Sequence, residues 1–173
     1  MKLHVRAALA SAIALGVLLG PATAALAEDS IAARDPNDTP GKLDMDGAGM
    51  ALKNSGTLFV GVRTFGSWRD GLLDDSGDNR FVFYFNLDRD NKAEYTGKIS
   101  LVDGAFVMTV DGKRQIDPIP VTRTGTTLKV KIPADSPLSQ PDVKFWAKSR
   151  LTGSGKCSHT CVDRAPDSSA LHF

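Results

Sequence analysis

The sequence predicts an all-β protein, an antiparallel β-sandwich of jelly-roll or immunoglobulin-like type with about eight strands. Three observations support this: apolar and polar residues alternate from Lys42 onward, no stretch there has helical spacing, and turn signals recur between short alternating runs. Short strands at this spacing are typical of sandwiches and jelly rolls. The predicted strands cover 42–51, 57–66, 80–87, 93–102, 105–110, 117–123, 126–132 and 142–149.

The alternation is clearest in the second and third predicted strands. In 57–66 one face holds Leu58, Val60 and Val62. In 80–87 both faces are apolar, because phenylalanines occupy one face and Val82 and Tyr84 the other. A strand with two apolar faces is buried on both sides, so we expect 80–87 to be a central strand.

The later strands are bounded by turn residues. The strand 93–102 is amphipathic, and Asp103-Gly104 after it supplies the positive φ that a tight hairpin needs. Asp111-Gly112 predicts a second such turn. The strands 117–123 and 126–132 follow, with Pro133 ending the latter, and Val143 opens the last one.

The first residues have the three parts of a secretory signal. Lys2 and Arg6 form the positive region, 7–19 is an apolar run, and 25–27 is a small-x-small cleavage site. The apolar run is shorter than the roughly 20 residues that a membrane-spanning helix needs. We therefore expect a cleaved signal peptide over 1–27 and a secreted, extracellular product with no transmembrane segment.

The rest of the chain is nearly neutral and long enough for one domain. The signal peptide contains two of the 21 basic residues and none of the 20 acidic ones, which leaves a net charge of about −1. That balance argues against nucleic acid as a partner. Residues 28–41 are polar with two prolines and predict a flexible N-terminal arm, followed by a single domain over 42–173.

Two cysteines follow the signal peptide, Cys157 and Cys161. In an oxidising compartment we expect a disulfide between them. The loop is short, so the bond should stabilise only a local segment, by roughly 2 kcal/mol. The alternative is a zinc site in which His159 and His172 complete a Cys₂His₂ set, although the spacing is atypical.

The most specific motif for a metal lies after the third predicted strand. Oxygen-bearing side chains recur at every second position, as in the first half of a calcium loop: Asn86, Asp88, Asp90 and Glu94. Asn91 occupies the turn position, but Gly97 stands where a bidentate Glu is expected. The alternatives are a weak calcium site and a solvated hairpin turn. Asp111 and Asp135 are weaker candidates, because alternating strands place their loops at the same end.

Two tryptophans are candidates for ligand binding. Trp146 points outward from the last strand between two lysines, and an exposed aromatic side chain can stack on a sugar ring. The alternative is that lysine stems or the C-terminal segment cover it. Trp68 lies in the long loop 67–79 and fits either role.

No catalytic motif stands out. The sequence has no G-x-S-x-G, no H-E-x-x-H and no phosphate-binding glycine loop. A carboxylate pair can run glycoside chemistry, but nothing in the sequence selects two of the many acids. We therefore expect a protein that is not an enzyme and has no catalytic residues.

Several segments of the sequence resemble those of a known group of proteins: DPNDTPGKLD, RTFGSW, FYFNLDRDNKAEY, FWAKS and the CSHTC tail with its following Asp and Pro. They resemble a group of small secreted actinobacterial β-sandwich proteins and, more distantly, family 9 carbohydrate-binding modules and DOMON-type domains. That resemblance implies a β-sandwich and the binding of sugar, haem or calcium, and it leaves the ligand open.

The sequence thus predicts a secreted, non-catalytic binding module, for an extracellular glycan or cell-wall component, with a calcium-braced loop. The first alternative is a cell-surface structural or interaction protein without a small ligand. The second is a hydrolase whose site has no recognisable motif. The ligand and the oligomeric state do not follow from the sequence.

Overall fold

The structure is a computed structural model that describes residues 29–73, 78–88, 90, 92–154, 157–167 and 169–173. The predicted signal peptide lies outside these residues. Within them the chain forms ten strands and a 3₁₀ helix at Asp70–Leu73. The strands are β1 (Asp29–Arg34), β2 (Met45–Leu52), β3 (Leu58–Thr64), β4 (Arg80–Asn86), β5 (Tyr95–Val102), β6 (Ala105–Gly112), β7 (Ile116–Thr124), β8 (Thr127–Ile132), β9 (Lys144–Ser154) and β10 (Cys157–Ala165).

All strand pairs are antiparallel, and they follow the order β1-β2-β3-β8-β7-β6-β5-β4-β9-β10 in one sheet. Strand β7 joins the two halves of this sheet. Its first part, up to Pro120, pairs with β6, and its second part, from Val121, pairs with β8. The sheet curls until it is nearly closed into a barrel.

The alternating pattern explains the core. Phe81, Phe83 and Phe85 of β4 point into the barrel and are fully buried, as is Phe145 opposite Phe85 on β9. Val82 and Tyr84 lie on the outer face and are half-buried. The prediction of a central strand is confirmed for the pairing of β4, which lies between β5 and β9, but its outer face is not fully buried as the pattern of two apolar faces predicts.

The turn at Asp103-Gly104 is also as predicted. It connects β5 to β6 with two residues, which have φ values of 50° and 77°. Positive φ at both central positions is the geometry whose twist matches a hairpin. Asp111 and Gly112, in contrast, form no turn and are the last residues of β6.

The all-β antiparallel class is confirmed, but its details differ from the prediction. One ten-stranded sheet replaces the expected sandwich of about eight strands. The eight predicted strands are β2 to β9, with ends shifted by a few residues. The additional strands are β1, inside the segment 28–41 that was expected to be a flexible arm, and β10 in the C-terminal tail.

Both additional strands lie at the edges of the sheet and lack a clear alternating pattern. Strand β1 consists mostly of small and polar residues that are half-buried or exposed, and it pairs with β2 over its whole length. In β10 only three residues are buried, namely Cys157, Asp163 and Ala165. Backbone pairing rather than apolar burial therefore defines these two strands.

The two ends of the sheet approach each other at a seam, which we define as the region between β1–β2 and β10. No strand ladder joins β1 to β10 in the part of the chain that the structure describes. Strand β10 instead lies close to β2 without pairing with it. The backbone amide of Met45 donates a 2.6 Å hydrogen bond to Oδ2 of Asp163 across this seam.

Among the residues described, no helix is long and apolar enough to span a membrane.

Candidate functional site

Five aspartates gather at the seam, and we call them the seam cluster: Asp35, Asp38, Asp44, Asp163 and Asp167. Asp35 follows β1, and Asp44 precedes β2, so a single connection carries three of the five. Asp163 lies on the inward face of β10, and Asp167 follows that strand. Two distant parts of the chain therefore build the site together.

Backbone hydrogen bonds fix the first half of the seam cluster. The amide of Asp35 donates to the carbonyl of Asp46 at 3.1 Å, and the amide of Phe65 donates to the carbonyl of Asp44 at 3.0 Å. Asp163 is held from the other side, since its carboxylate accepts from the amides of Met45 at 2.6 Å and Arg164 at 2.8 Å. The carboxyl groups are thus placed by the sheet.

Three of the five carboxyl groups are almost completely buried. Asp35 is 4% exposed, Asp44 3% and Asp163 3%. Neither carboxylate oxygen of Asp35 receives a hydrogen bond, and Oδ1 of Asp44 also lacks one. Buried polar atoms in folded proteins nearly always have a partner, and a buried charge without one costs several kcal/mol.

The charges of the cluster act on one another. Burial, followed by the negative charges of Asp163, Asp167 and Asp38, raises the pKa of Asp35 to about 7. Burial and the charge of Asp163 raise the pKa of Asp44 to about 6. Burial also raises the pKa of Asp163, against the hydrogen bonds that it accepts. Full ionisation of the cluster at neutral pH is therefore unfavourable unless a cation balances it, and Asp35 is near the midpoint of its titration there.

The spacing within the cluster suits a metal ion. One oxygen each from Asp35, Asp163 and Asp167 lie within 4.8 Å of one another, and the same holds for Asp38, Asp44 and Asp163. Ligands that bind calcium at 2.3–2.6 Å from opposite sides are at most about 5 Å apart. Asp163 belongs to both groups and lies at their centre.

The predicted hairpin motif forms a different, exposed acidic group. Oxygens of Asp88, Asp90 and Glu94 lie within 4.8 Å of one another, and Asn86 is fully buried at the end of β4. Asn91 lies outside the described residues. The structure thus brings three of the four proposed ligands together, but at the surface of the protein.

Local hydrogen bonds already occupy these hairpin carboxylates. The amide of Asp90 donates to Asp88 at 3.2 Å, and the amide of Leu87 donates to Glu94 at 2.5 Å. Lys113 lies 3.6 Å from Asp88. The hydrogen bond from Asp90 holds the pKa of Asp88 below its usual range. Asp88 and Asp90 are also exposed to solvent, and the Lys113 ammonium offsets part of the hairpin's charge, which distinguishes it from the buried seam cluster.

Asp111 and Asp135 are part of neither acidic group. Asp111 is opposite Thr96 on the outer face of β6, and Asp135 is exposed in the turn after β8. Among the described acids, neither belongs to a group of three with oxygens this close. Their predicted role as additional calcium ligands thus has no geometric basis here.

The predicted aromatic site lies on the outer face of β4 and β9. The rings of Tyr84 and Trp146 are directly opposite in the strand register and stack with centroids 5.2 Å apart and planes 3° from parallel. The guanidinium of Arg164 lies over the Trp146 ring at 5.9 Å, and the ammonium of Lys148 lies over Tyr84 at 5.6 Å. Trp146 is half-buried by these neighbours.

Basic residues continue from this aromatic pair along the outer face. They and their neighbours line a shallow depression of about 400 Å³ whose basic members are Arg80, Lys98, Lys148 and Arg150. Asp111 is the one acid among the lining residues. We call this surface the outer basic face, and it includes Tyr84, Trp146 and Arg164 at its end.

Trp68 has a different position from the one that ligand binding requires. It is 4% exposed and packs against Phe81 and Phe106, with centroids 5.9 and 5.8 Å away. The guanidinium of Arg123 lies 4.0 Å from the ring centre and donates to the Trp68 carbonyl at 2.5 Å. Asp70 pairs with the same guanidinium. Trp68 therefore belongs to the core and offers no ring to a ligand.

The predicted disulfide between Cys157 and Cys161 is present. It lies within β10, at a point where the register with β9 shifts. The bond therefore closes a bulge in one edge strand and joins no two strands, as expected for a local constraint. With both sulfurs in the disulfide, no thiolate remains for the alternative zinc site.

Sequence reasoning missed the seam cluster. A signal is present, since aspartates flank prolines in both terminal segments: Asp35 and Asp38 surround Pro36, and Asp163 and Asp167 surround Pro166. The pattern gives no indication that the two segments meet. Isolated aspartates beside prolines read as solvated turns.

No family model, no curated protein and no solved structure matches this chain. The resemblance to secreted actinobacterial proteins and to carbohydrate-binding modules therefore stays a prediction, and the proposals below rest on this chain's own geometry.

Proposed function

We propose that this protein is a secreted, non-catalytic module that binds an anionic glycan on its outer basic face. The observation that carries this proposal is a pair of like-charged contacts in the strand register. Arg80 lies directly opposite Arg150, and Lys148 lies directly opposite Arg164. Like charges in directly opposed positions destabilise a sheet. A bound anion offsets that cost.

The four cations of these two pairs, Arg80, Arg150, Lys148 and Arg164, have little local compensation. None of them forms a salt bridge with a carboxylate in the part of the chain that the structure describes. The Nε atoms of Arg150 and Arg164 are buried and lack a hydrogen-bond partner. A planar guanidinium binds a carboxylate through two parallel hydrogen bonds, so uronic acids have a suitable charged group.

The aromatic pair supplies the second element of glycan recognition. Sugar rings pack their C–H faces on aromatic side chains, which contribute apolar area and a rigid shape. Thr96 lies beside Tyr84 in register on β5, and its short side chain leaves the floor of the depression low next to the ring. Lys98 and Lys148 lie opposite Val82 on either side of it, two positions along β4 from Tyr84, so a sugar at the Tyr84 ring can direct its carboxylate toward them.

Secretion supports the choice of an extracellular ligand. The predicted signal peptide would place the domain outside the cytoplasm, where disulfides such as Cys157–Cys161 persist. Acidic polysaccharides are available there. The shallow, open shape of the depression is suited to a chain that passes across it.

Calorimetric titration with oligogalacturonate, beside an uncharged galactan oligosaccharide of equal length, tests the proposal. We expect binding of the acidic oligosaccharide alone, weakening as NaCl rises from about 50 to about 500 mM. The double substitution Lys148→Gln with Arg150→Gln should lower affinity by about tenfold or more, because it removes charge-assisted hydrogen bonds.

A matched control lies on the other half of the sheet. Lys129→Gln with Lys131→Gln removes the same charge from β8 and should leave affinity unchanged. Tyr84→Ala should weaken oligogalacturonate more than inorganic polyphosphate, since only the sugar stacks on the ring. Equal losses in both double variants would contradict a specific face, and no binding of either sugar would favour the alternative of a surface protein without a small ligand.

A further inference from the structure

We propose that the seam cluster is a binding site for a divalent cation with the chemistry of calcium, held by Asp35, Asp44 and Asp163 with Asp38 and Asp167. This inference is independent of glycan binding, because the seam and the outer basic face use different residues. It also differs from the calcium hairpin that the sequence predicts, which is an exposed loop elsewhere in the chain.

Three carboxylate oxygens of the seam cluster lack a partner. Both carboxylate oxygens of Asp35 and Oδ1 of Asp44 are buried without a hydrogen-bond donor, although the two residues are 4% and 3% exposed. A surface acidic cluster can rely on water, but these atoms are shielded from it. A metal ion between them supplies the missing partner.

The five carboxylates of the seam cluster converge. They form two groups of three, each with oxygens within 4.8 Å, and the groups share Asp163. Two oxygens of Asp163 already accept hydrogen bonds from the backbone of Met45 and Arg164, so this carboxylate is preorganised at the centre. Preorganised oxygens lose little entropy when an ion binds.

The negative charge of the seam cluster has no cationic side chain to balance it among the described residues. No Lys, Arg or His in the described part of the chain forms an ion pair with these five carboxylates. The hydroxyl of Thr39, at 3.4 Å from Asp163, and backbone amides are the available donors. Neutral donors leave the net charge of these carboxylates unchanged, whereas a divalent cation cancels two negative charges.

The donor set selects the class of ion. All five side chains are carboxylates, and neither sulfur nor imidazole is among them, which favours a hard cation over zinc or copper. Five carboxylates provide enough oxygens for the six to eight ligands of calcium. Magnesium requires nearly ideal octahedral geometry and keeps several waters, so a buried cluster of irregular spacing suits it less.

The position of the site gives the ion a structural role. Asp35 and Asp44 belong to the β1–β2 end of the sheet, and Asp163 belongs to β10 at the other end. No strand ladder connects these ends among the described residues. An ion bound by both ends links them at the place where backbone pairing stops.

A proton shared between Asp35 and Asp163 is the competing way to satisfy the same atoms, because these carboxyl groups are near enough to interact directly. The shared proton and the bound ion differ in whether the stability of the protein depends on calcium in the solution. The shared proton makes the protein indifferent to calcium, whereas the ion site makes its stability depend on calcium concentration by mass action.

The experiment is thermal unfolding of the purified protein after EDTA treatment, with calcium chloride or magnesium chloride added back at about pH 7.5. At about one hundred times the dissociation constant we expect calcium to raise Tm by at least about 5 °C. Magnesium should raise it less. Titration calorimetry with calcium chloride should show heat with saturation at one or two ions per chain.

Three variants locate the ion. Asp35→Asn and Asp44→Asn keep the side-chain shape and remove one buried charge each, so each should abolish most of the calcium-dependent shift. Asp167→Asn replaces an exposed residue and should fold normally, with calcium affinity lowered by about tenfold, as for one lost charged ligand. The hairpin double variant Asp88→Asn with Asp90→Asn is the control and should retain the full shift.

The variants distinguish a seam site from a hairpin site and from a shared proton. A shift that persists in Asp35→Asn and Asp167→Asn but disappears in the hairpin variant places the ion in the hairpin and overturns the proposal. An unchanged Tm and no heat in the wild-type protein also overturn it, and they favour the shared proton. Loss of the shift in the seam variants, with the hairpin variant unaffected, supports the seam site.

Discussion

The backbone amide of Met45 and the carboxylate of Asp163 are joined by a 2.6 Å hydrogen bond between residues 118 positions apart in the sequence. Met45 opens β2, and Asp163 lies near the end of β10. This bond links the two ends of the sheet across the seam. The carboxylate that it holds is also the one that both groups of acids share.

We expect the acceptor role of Asp163 to be separable from its charge. Asp163→Asn and Asp163→Ala both remove the charge, but only Asn keeps an oxygen for the Met45 amide. The Ala variant should be less stable than the Asn variant by about 1–2 kcal/mol, because it leaves a buried amide without a partner. Urea unfolding in EDTA measures the difference, and equal stabilities would show that the hydrogen bond contributes nothing.

The stability of the metal-free protein should fall as pH rises from about 4 to about 7. Burial and the charges of Asp163, Asp167 and Asp38 raise the pKa of Asp35 to about 7, and burial raises that of Asp44 to about 6, from 3.8. Between these values the folded state binds more protons than the unfolded state. Folding is then favoured at low pH, and the gain is lost as pH passes the folded-state pKa values.

Melting curves in EDTA across this pH range test the sign of the effect. Asp35→Asn removes the group with the highest pKa of the pair, so its curve should depend less on pH than that of the wild type. A wild-type protein whose Tm rises steadily from pH 4 to pH 7 would show that these carboxyl groups are not buried as described.

Removal of the disulfide should have a modest effect. Cys157→Ala with Cys161→Ala opens a loop of five residues within β10, and the entropic contribution of so short a loop is about 2 kcal/mol. The barrel should stay folded because β9 and β10 also pair through the residues from Thr160 to Ala165. Urea unfolding gives the cost, and loss of cooperative unfolding would contradict a merely local role.

Strands with local signals could be predicted from the sequence. The phenylalanines of β4 alternate with Val82 and Tyr84, and that pattern alone places the strand in the centre of a sheet. The turn at Asp103-Gly104 depends on two adjacent residues with positive φ. In both cases the determining interactions lie within a few positions, so a reading of neighbouring residues is sufficient.

The seam could not be predicted for the opposite reason. Strand β10 contains few apolar residues, and its position depends on pairing with β9 and on Asp163 meeting Met45. Aspartate is seldom buried, so the local pattern does not mark Asp35, in the predicted arm 28–41, or Asp44, in the predicted strand 42–51, as buried. Their burial is a property of the closed sheet and has no counterpart in the local pattern.

The two tryptophans should respond differently to truncation. Trp68 is 4% exposed and contacts Phe81, Phe106 and Arg123, so Trp68→Ala removes a large core side chain and should cost about 3–5 kcal/mol. Trp146 is half-buried on the outer face, where Trp146→Ala should cost about 1 kcal/mol of stability through the lost stacking on Tyr84.

The affinity for oligogalacturonate should show the reverse order, with Trp146→Ala weakened and the milder core variant Trp68→Phe unchanged. Urea unfolding and calorimetric titration on the same samples measure both quantities, and similar stability losses in the two Ala variants would contradict the assignment of Trp68 to the core and Trp146 to the binding face.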